Sequence, residues 1–374
     1  MRNIALYIHI PFCVSKCRYC DFTSFVTSGD LRAEYVNALC KELKLYSSED
    51  QYNISTIYIG GGTPSILLTK ELEIITETIY KNFHTENITE FSIECNPDSI
   101  TEDKLKCYKN IGINRISMGV QSFNDKILLS IGRAHNSKQA KDAILKVLKY
   151  YDNVNVDLMT GMPFEDDNDG INSIKELLTY DIPHISLYSL MLESGTPLEA
   201  DVNNGKLLLP NEDISSDRYD KMLELLEANN IKRYEISNFS KIGYKCKHNL
   251  NYWRLGEYIG AGLNSHGYID RTRYVNTDNL KEYMNLLNSN KKSIIETNKI
   301  SDEETEFEYI MLTLRMREGI NLLDYKKIFS CNFKEKYRNE LIEAKKYIVE
   351  SIGAVAVKPE YFNVLNEIIL IFLK

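Results

Sequence analysis

The sequence has no apolar run near the ~20 residues that a membrane span requires. Its longest late candidate, Ile368–Leu373, is six residues long and reads as a terminal element packed on its own domain. Positive charge is not in excess: 45 Lys and Arg stand against 53 Asp and Glu, a net charge of −8. That excludes a non-specific nucleic-acid binder, which needs a basic face, but leaves room for a local basic pocket. No secretory leader is expected, because the apolar run after Met1-Arg2-Asn3 is too short for a signal h-region. The eight cysteines are therefore expected as thiols in a reducing compartment, with a cytoplasmic location. There is no low-complexity tract and no CxxCH heme-attachment pattern, and there is a single tryptophan. At 374 residues, 43% apolar and 26% charged, the chain suits one large core plus a smaller domain.

Cysteine is where the sequence becomes specific. Cys13, Cys17 and Cys20 are spaced C-x3-C-x2-C directly after the apolar run Ile4–Ile10. Three is odd, so they cannot all pair as disulfides. Soft thiolates suit zinc or an iron–sulfur cluster. A structural zinc site wants four ligands, usually as two separated pairs, and no second C-x2-C exists. Three cysteines on one loop fit a 4Fe–4S cluster with one iron left open. The isolated Cys40, Cys95, Cys107 and Cys331 read as inert thiols.

Strand and helix patterns alternate from there. Strands are expected at Ile4–Ile10, Ile54–Ile59, Phe91–Glu94, Arg115–Val120, Val154–Met159 and His184–Met191. Helices are expected at Leu31–Leu45, Thr69–Phe83, Thr101–Asn110, Ser137–Tyr150 and Ile171–Leu178. Repeated βαβ units demand a parallel sheet with right-handed crossovers. In βα barrels the chemistry sits at the carboxyl ends of the strands. The cysteine loop, Gly60-Gly61-Gly62-Thr63, Glu94, Gln121 and Asp157 all fall at or near such ends. Farther on, Ile214–Asn229 reads as a helix, Tyr234–Ile236 as a strand and residues 287–299 as a polar linker. Ser301-Asp302-Glu303-Glu304 reads as a capping box that opens another helix.

The motif YIHIPFC before the first cysteine, and YCDF around the last, resemble the oxygen-independent coproporphyrinogen III oxidase family of radical S-adenosylmethionine (SAM) proteins. The resemblance implies an α/β fold: a partial (β/α)6 radical SAM barrel with a small, mainly helical C-terminal domain. The division expected is 1–230 for the barrel with its cluster loop, 231–290 for an extension, and 300–374 for the C-terminal domain. It implies a 4Fe–4S cluster on Cys13, Cys17 and Cys20, whose open iron takes the amine and carboxylate of SAM. Tyr7 and Tyr19 would then contact SAM, with Gly61, Gly62 and Thr63 at the methionyl amine. Glu94, Gln121, Arg133 and Asp157 would bind its carboxylate and ribose. A run of three glycines alone is a weak signal; it gains weight from the set. His9 stays open between a packed strand residue and one facing the substrate.

Within that family two readings share the scaffold. One is an oxygen-independent coproporphyrinogen III oxidase, which decarboxylates two propionates by radical SAM chemistry. The other is a heme chaperone, which carries heme to acceptor apoproteins. The oxidases place a fourth cysteine where this chain has Phe22, and they carry a longer segment before the cysteine loop. Here His248-Asn249-Leu250-Asn251-Tyr252-Trp253 matches the HNxxYW motif of the chaperone branch, so the chaperone reading leads. His248 would then be an axial heme ligand, with Tyr252 and Trp253 stacked on the porphyrin and Lys245, Lys247 and Arg254 near its propionates. Cys246 is a second candidate iron ligand, and His266 a weak candidate near the SAM site. The partners implied are heme, heme-acceptor apoproteins, an electron donor for the cluster, a weak contact with a membrane protein, and a second copy of the chain.

Overall fold

A computed structural model describes residues 2–26, 29–47 and 52–373. Six parallel strands lie side by side in chain order: β1 (Arg2–Ile10), β2 (Tyr52–Gly61), β3 (Glu90–Cys95), β4 (Arg115–Gln121), β5 (Val154–Thr160) and β6 (His184–Ser189). Their short β-branched runs bury both faces, as a sheet covered by helices requires. The crossovers are helices α1 (Gly29–Ser47), α2 (Thr69–Asn82), α3 (Glu102–Asn110), α4 (Ser137–Leu148) and α5 (Asp169–Thr179). Thr101 caps α3 by accepting from the Lys104 N–H, and Asn136 and Gln139 form a reciprocal capping box on α4.

Both edges of this partial barrel are extended. Tyr258–Ala261 pairs in parallel with the free side of β1, and His266–Ile269, Thr272–Asn276 and Ile294–Lys299 follow antiparallel. At the far edge Asn238–Ser240 and Lys232–Arg233 run antiparallel beside β6. The sheet thus holds twelve strands among the described residues.

Two sequence expectations are corrected. Residues 287–299 are not a linker: Leu280–Asn288 is helical and Ile294–Lys299 is an edge strand, its outer residues in water. Tyr234–Ile236 is not a strand but the link between Lys232–Arg233 and Asn238–Ser240. The capping box at Ser301 does open the helix Asp302–Thr313. The region after it builds its own apolar core around Ile310, Tyr325, Phe333 and Ile368. That region also contains a three-stranded sheet of Ile320–Asn321, Ala354–Val357 and Ile348–Glu350. The final helix, Leu365–Ile371, packs into the same core. Among the described residues no helix is long and apolar enough to cross a membrane.

Candidate functional site

The loop after β1 is held at three points. Phe12–Cys13 pairs in parallel with Phe25–Val26, the Arg18 N–H donates to the Ile131 carbonyl at 2.9 Å, and the Gly62 N–H donates to the Ile10 carbonyl at 2.9 Å. Cys13 is buried, while Cys17 and Cys20 are half-buried, and all three are free thiols. Thr63 Oγ1 lies 3.6 Å from the Cys13 sulfur, and Arg133 Nη1 donates to the Cys17 sulfur at 3.2 Å. A Cβ on Gly62 would meet the Cys13 sulfur and the Phe12 carbonyl oxygen, each at 2.8 Å, so only glycine fits there.

These residues open onto a cavity of about 390 Å³ at the carboxyl ends of the strands. It is lined by Cys13, Cys17, Cys20, Tyr19, Gly61, Gly62, Thr63, Glu94, Gln121, Arg133 and Asp157. Every residue that the sequence assigned to cluster or SAM is therefore in one place except Tyr7, and His266, the weak candidate near the SAM site, lies in a second cavity too. Tyr7 lines that second cavity and has its hydroxyl 3.0 Å from His9 Nδ1. Sequence reading also missed Asn96, which joins the site by donating to Thr63 Oγ1 at 3.2 Å and accepting from Arg133 at 2.9 Å. Its signal was available: a polar residue just past the end of β3.

Polar groups in the cavity are held in a demanding state. Burial lifts the Glu94 carboxyl to about 7, although Tyr58 Oη and the Gly61 N–H donate to it at 2.9 and 3.0 Å. Burial likewise raises Asp157, which accepts from Asn155 Nδ2 at 2.7 Å. Gln121 sits at a φ of +71°, where the β4–β5 register shifts. Its Oε1 and the Nε of Arg133 are buried without a partner, and a polar ligand would satisfy both. Among the described residues no three His, Cys, Asp or Glu side chains converge as a single metal ion would require.

The HNxxYW segment lies at the opposite end of the barrel, and there the sequence expectation fails. Helix Lys247–Trp253 is capped by Glu90, the first residue of β3, which accepts from the Lys247 and His248 N–H groups at 2.8 and 3.1 Å. His248 is fully buried. Its Nδ1 lies 2.8 Å from Thr56 Oγ1, its Nε2 lies 2.8 Å from Tyr252 Oη, and its ring stacks on Tyr58. Both ring nitrogens are used, so none is open to a heme iron. Cys246 is also sealed, with its sulfur 3.3 Å from Glu90 Oε1 and its thiol pushed by burial to about 12. Trp253 packs with Tyr234, Leu250 and Met316 rather than facing a cavity. Lys245 and Arg254 pair with Glu318, and Lys247 Nζ reaches the Thr89 carbonyl. The motif closes the barrel floor, and its Tyr252 lines the second cavity.

Comparison with known proteins identifies the family and the fold. Residues 7–177 match the Radical SAM superfamily. The heme chaperone HemW of Bacillus subtilis is 36% identical, with 90% of this chain and 87% of that protein covered. The heme chaperone HemW of Buchnera aphidicola from Acyrthosiphon pisum is 35% identical, with 99% of this chain and 98% of that protein covered. Among solved structures, the coproporphyrinogen III oxidase HemN of Escherichia coli superposes with a TM-score of 0.86. It covers 99% of this chain and 90% of its own at 18% identity, which shows a shared fold. A three-cysteine loop over an open barrel, with near full-length likeness to these chaperones, places the chain in the heme chaperone HemW family of radical SAM proteins.

Proposed function

We propose that this protein carries heme for delivery to acceptor apoproteins, and that it holds a 4Fe–4S cluster on Cys13, Cys17 and Cys20 with SAM beside it. The observation that carries the cofactor reading is the convergence of eleven sequence-assigned residues on one cavity. The thiols share a wall without meeting at a point. A cluster asks for that spread, because each sulfur binds a different iron, whereas one zinc ion asks for convergence. When bound, the cluster supplies an electron and an iron with open positions for an amine and a carboxylate.

The chain's own residues prepare the site. Thr63 and Arg133 reach the sulfurs of Cys13 and Cys17, where they would donate to the cluster's ligands. Gly62 leaves the main chain bare beside Cys13, so a ligand can approach it closely. Glu94, neutral or charged near pH 7, sits where a cationic amine would draw it to the carboxylate. Arg133 and Gln121 offer their unpartnered buried atoms to a carboxylate and to ribose hydroxyls. An electron donor, a second copy of the chain and a weak contact with a membrane protein complete the partners in this reading.

The fold is shared with a coproporphyrinogen III oxidase, so the test must separate carriage from turnover. Anaerobically reconstituted protein should bind hemin with a Soret shift and yield no protoporphyrinogen IX from coproporphyrinogen III, SAM and a reductant. Stoichiometric decarboxylation would move the protein to the oxidase reading. Cys17→Ser should abolish the broad cluster absorbance, and a full 4Fe–4S signal in that variant would refute the ligand set.

A further inference from the structure

Resting on the chaperone reading, we propose that heme sits in the second cavity of the barrel, with His266 as its axial ligand. This cavity of about 520 Å³ lies against β1 and the strands that extend it, and is walled by Tyr7, Phe22, Tyr252, Tyr258 and Tyr268. Its size and aromatic lining suit a planar, largely apolar ligand. Phe22 lines the cluster cavity as well, so the two cavities share a wall residue.

The histidine inventory points to one residue. The sequence holds six. His9 lies between Tyr7 Oη and the Thr23 carbonyl. His184 lies between Asn155 and Tyr234, and His248 between Thr56 and Tyr252. All three have both nitrogens engaged. His135 is buried with Nε2 against the Val120 carbonyl, and His84 lines neither cavity. His266 is exposed and lines the second cavity, and its side chain has no hydrogen-bond partner among the described residues.

The strand that carries His266 is fixed by close packing. A Cβ on Gly260 would meet the His266 carbonyl oxygen at 1.8 Å, and one on Gly267 would meet the Tyr274 ring at 2.0 Å. The imidazole therefore projects from a backbone with little freedom, as a ligand residue should. Arg273, over the Tyr268 ring at 4.9 Å and paired with Glu308 at 2.6 Å, brings a guanidinium to the cavity wall for a propionate. Because His266 lies at the surface, the bound porphyrin edge stays within reach of an acceptor, as a carrier needs and a buried ligand would prevent.

The test is a hemin titration of the anaerobic, cluster-loaded protein, followed by Soret absorbance. His266→Ala should weaken binding roughly tenfold or more and move the Soret band. His266→Gly should recover the wild-type band on addition of imidazole. His248→Ala should keep the wild-type band position, though it loosens the floor. Leu312→Trp, which fills the same cavity from the helix Asp302–Thr313, should weaken hemin binding with cluster content unchanged, and it serves if the His266 variants do not fold. Wild-type affinity and band position in folded His266→Ala overturn the proposal, as does unchanged affinity in Leu312→Trp. Failure of the wild-type protein to bind hemin overturns the chaperone reading itself.

Discussion

Arg133 donates to the Cys17 sulfur from Nη1 at 3.2 Å and to Asn96 Oδ1 from Nη2 at 2.9 Å. One guanidinium thus ties Cys17, a proposed cluster ligand, to the end of β3. Burial opposes its charge, but Tyr19 and Cys17 more than compensate, and the pKa is raised. Arg133→Lys keeps the charge and loses the planar fork. Iron and sulfide content per chain should then stay near wild type, while SAM affinity, measured at equilibrium, falls roughly tenfold. Arg133→Ala should lower both.

Gly62 tests whether the loop tolerates a methyl group. The added Cβ at 2.8 Å from the Cys13 sulfur and the Phe12 carbonyl must displace one of them. Gly62→Ala should cost about 1–3 kcal/mol in the melting of the apoprotein and should lower the cluster content on reconstitution. Gly353→Ala, whose Cβ meets nothing within 4 Å, is the control. Equal cluster loading in the two variants would contradict the packing argument.

Away from the cofactor site, Glu42 on α1 accepts from the Gly262 N–H at 2.8 Å, from Tyr283 Oη at 2.6 Å and from Asn276 Nδ2 at 2.6 Å. Burial lifts its carboxyl from 4.5 to about 7. The fold therefore favours the protonated acid, whose contribution is complete below about pH 4.5 and fades as pH rises towards 7. Glu42→Gln holds the neutral state at every pH. Denaturant titrations should show wild type losing on the order of 3 kcal/mol relative to the variant between pH 4.5 and 7. A difference that is flat with pH would refute the assignment.

The barrel was legible because its strands are short β-branched runs separated by clear helical periodicity. The site was legible because polar residues at strand ends have no packing role in such a sheet. The linker error at 287–299 has a physical cause: Ile294–Lys299 is an outer strand whose residues are almost all exposed, so it lacks the alternation of a half-buried strand. Tyr7 was misplaced because a position within β1 does not reveal which cavity its side chain meets. The HNxxYW segment misled more deeply. Its chemistry looks like heme ligation, yet its helix is capped by Glu90, 158 residues before His248. Only the curled sheet brings those two together, and no local pattern announces it. His266 lies in a segment less regular than the motif around His248, and its value shows only when the other histidines are found occupied.

Phe22 is mostly exposed and belongs to both chambers. With the proposed ligands in place, one ring shared by both linings would couple them. Whatever free energy the nucleotide expends in shifting that ring must reappear, equal in size, as a change in affinity for the porphyrin, and the reverse holds too. Loading and unloading of cargo would then be tuned from next door without any bond between the guests.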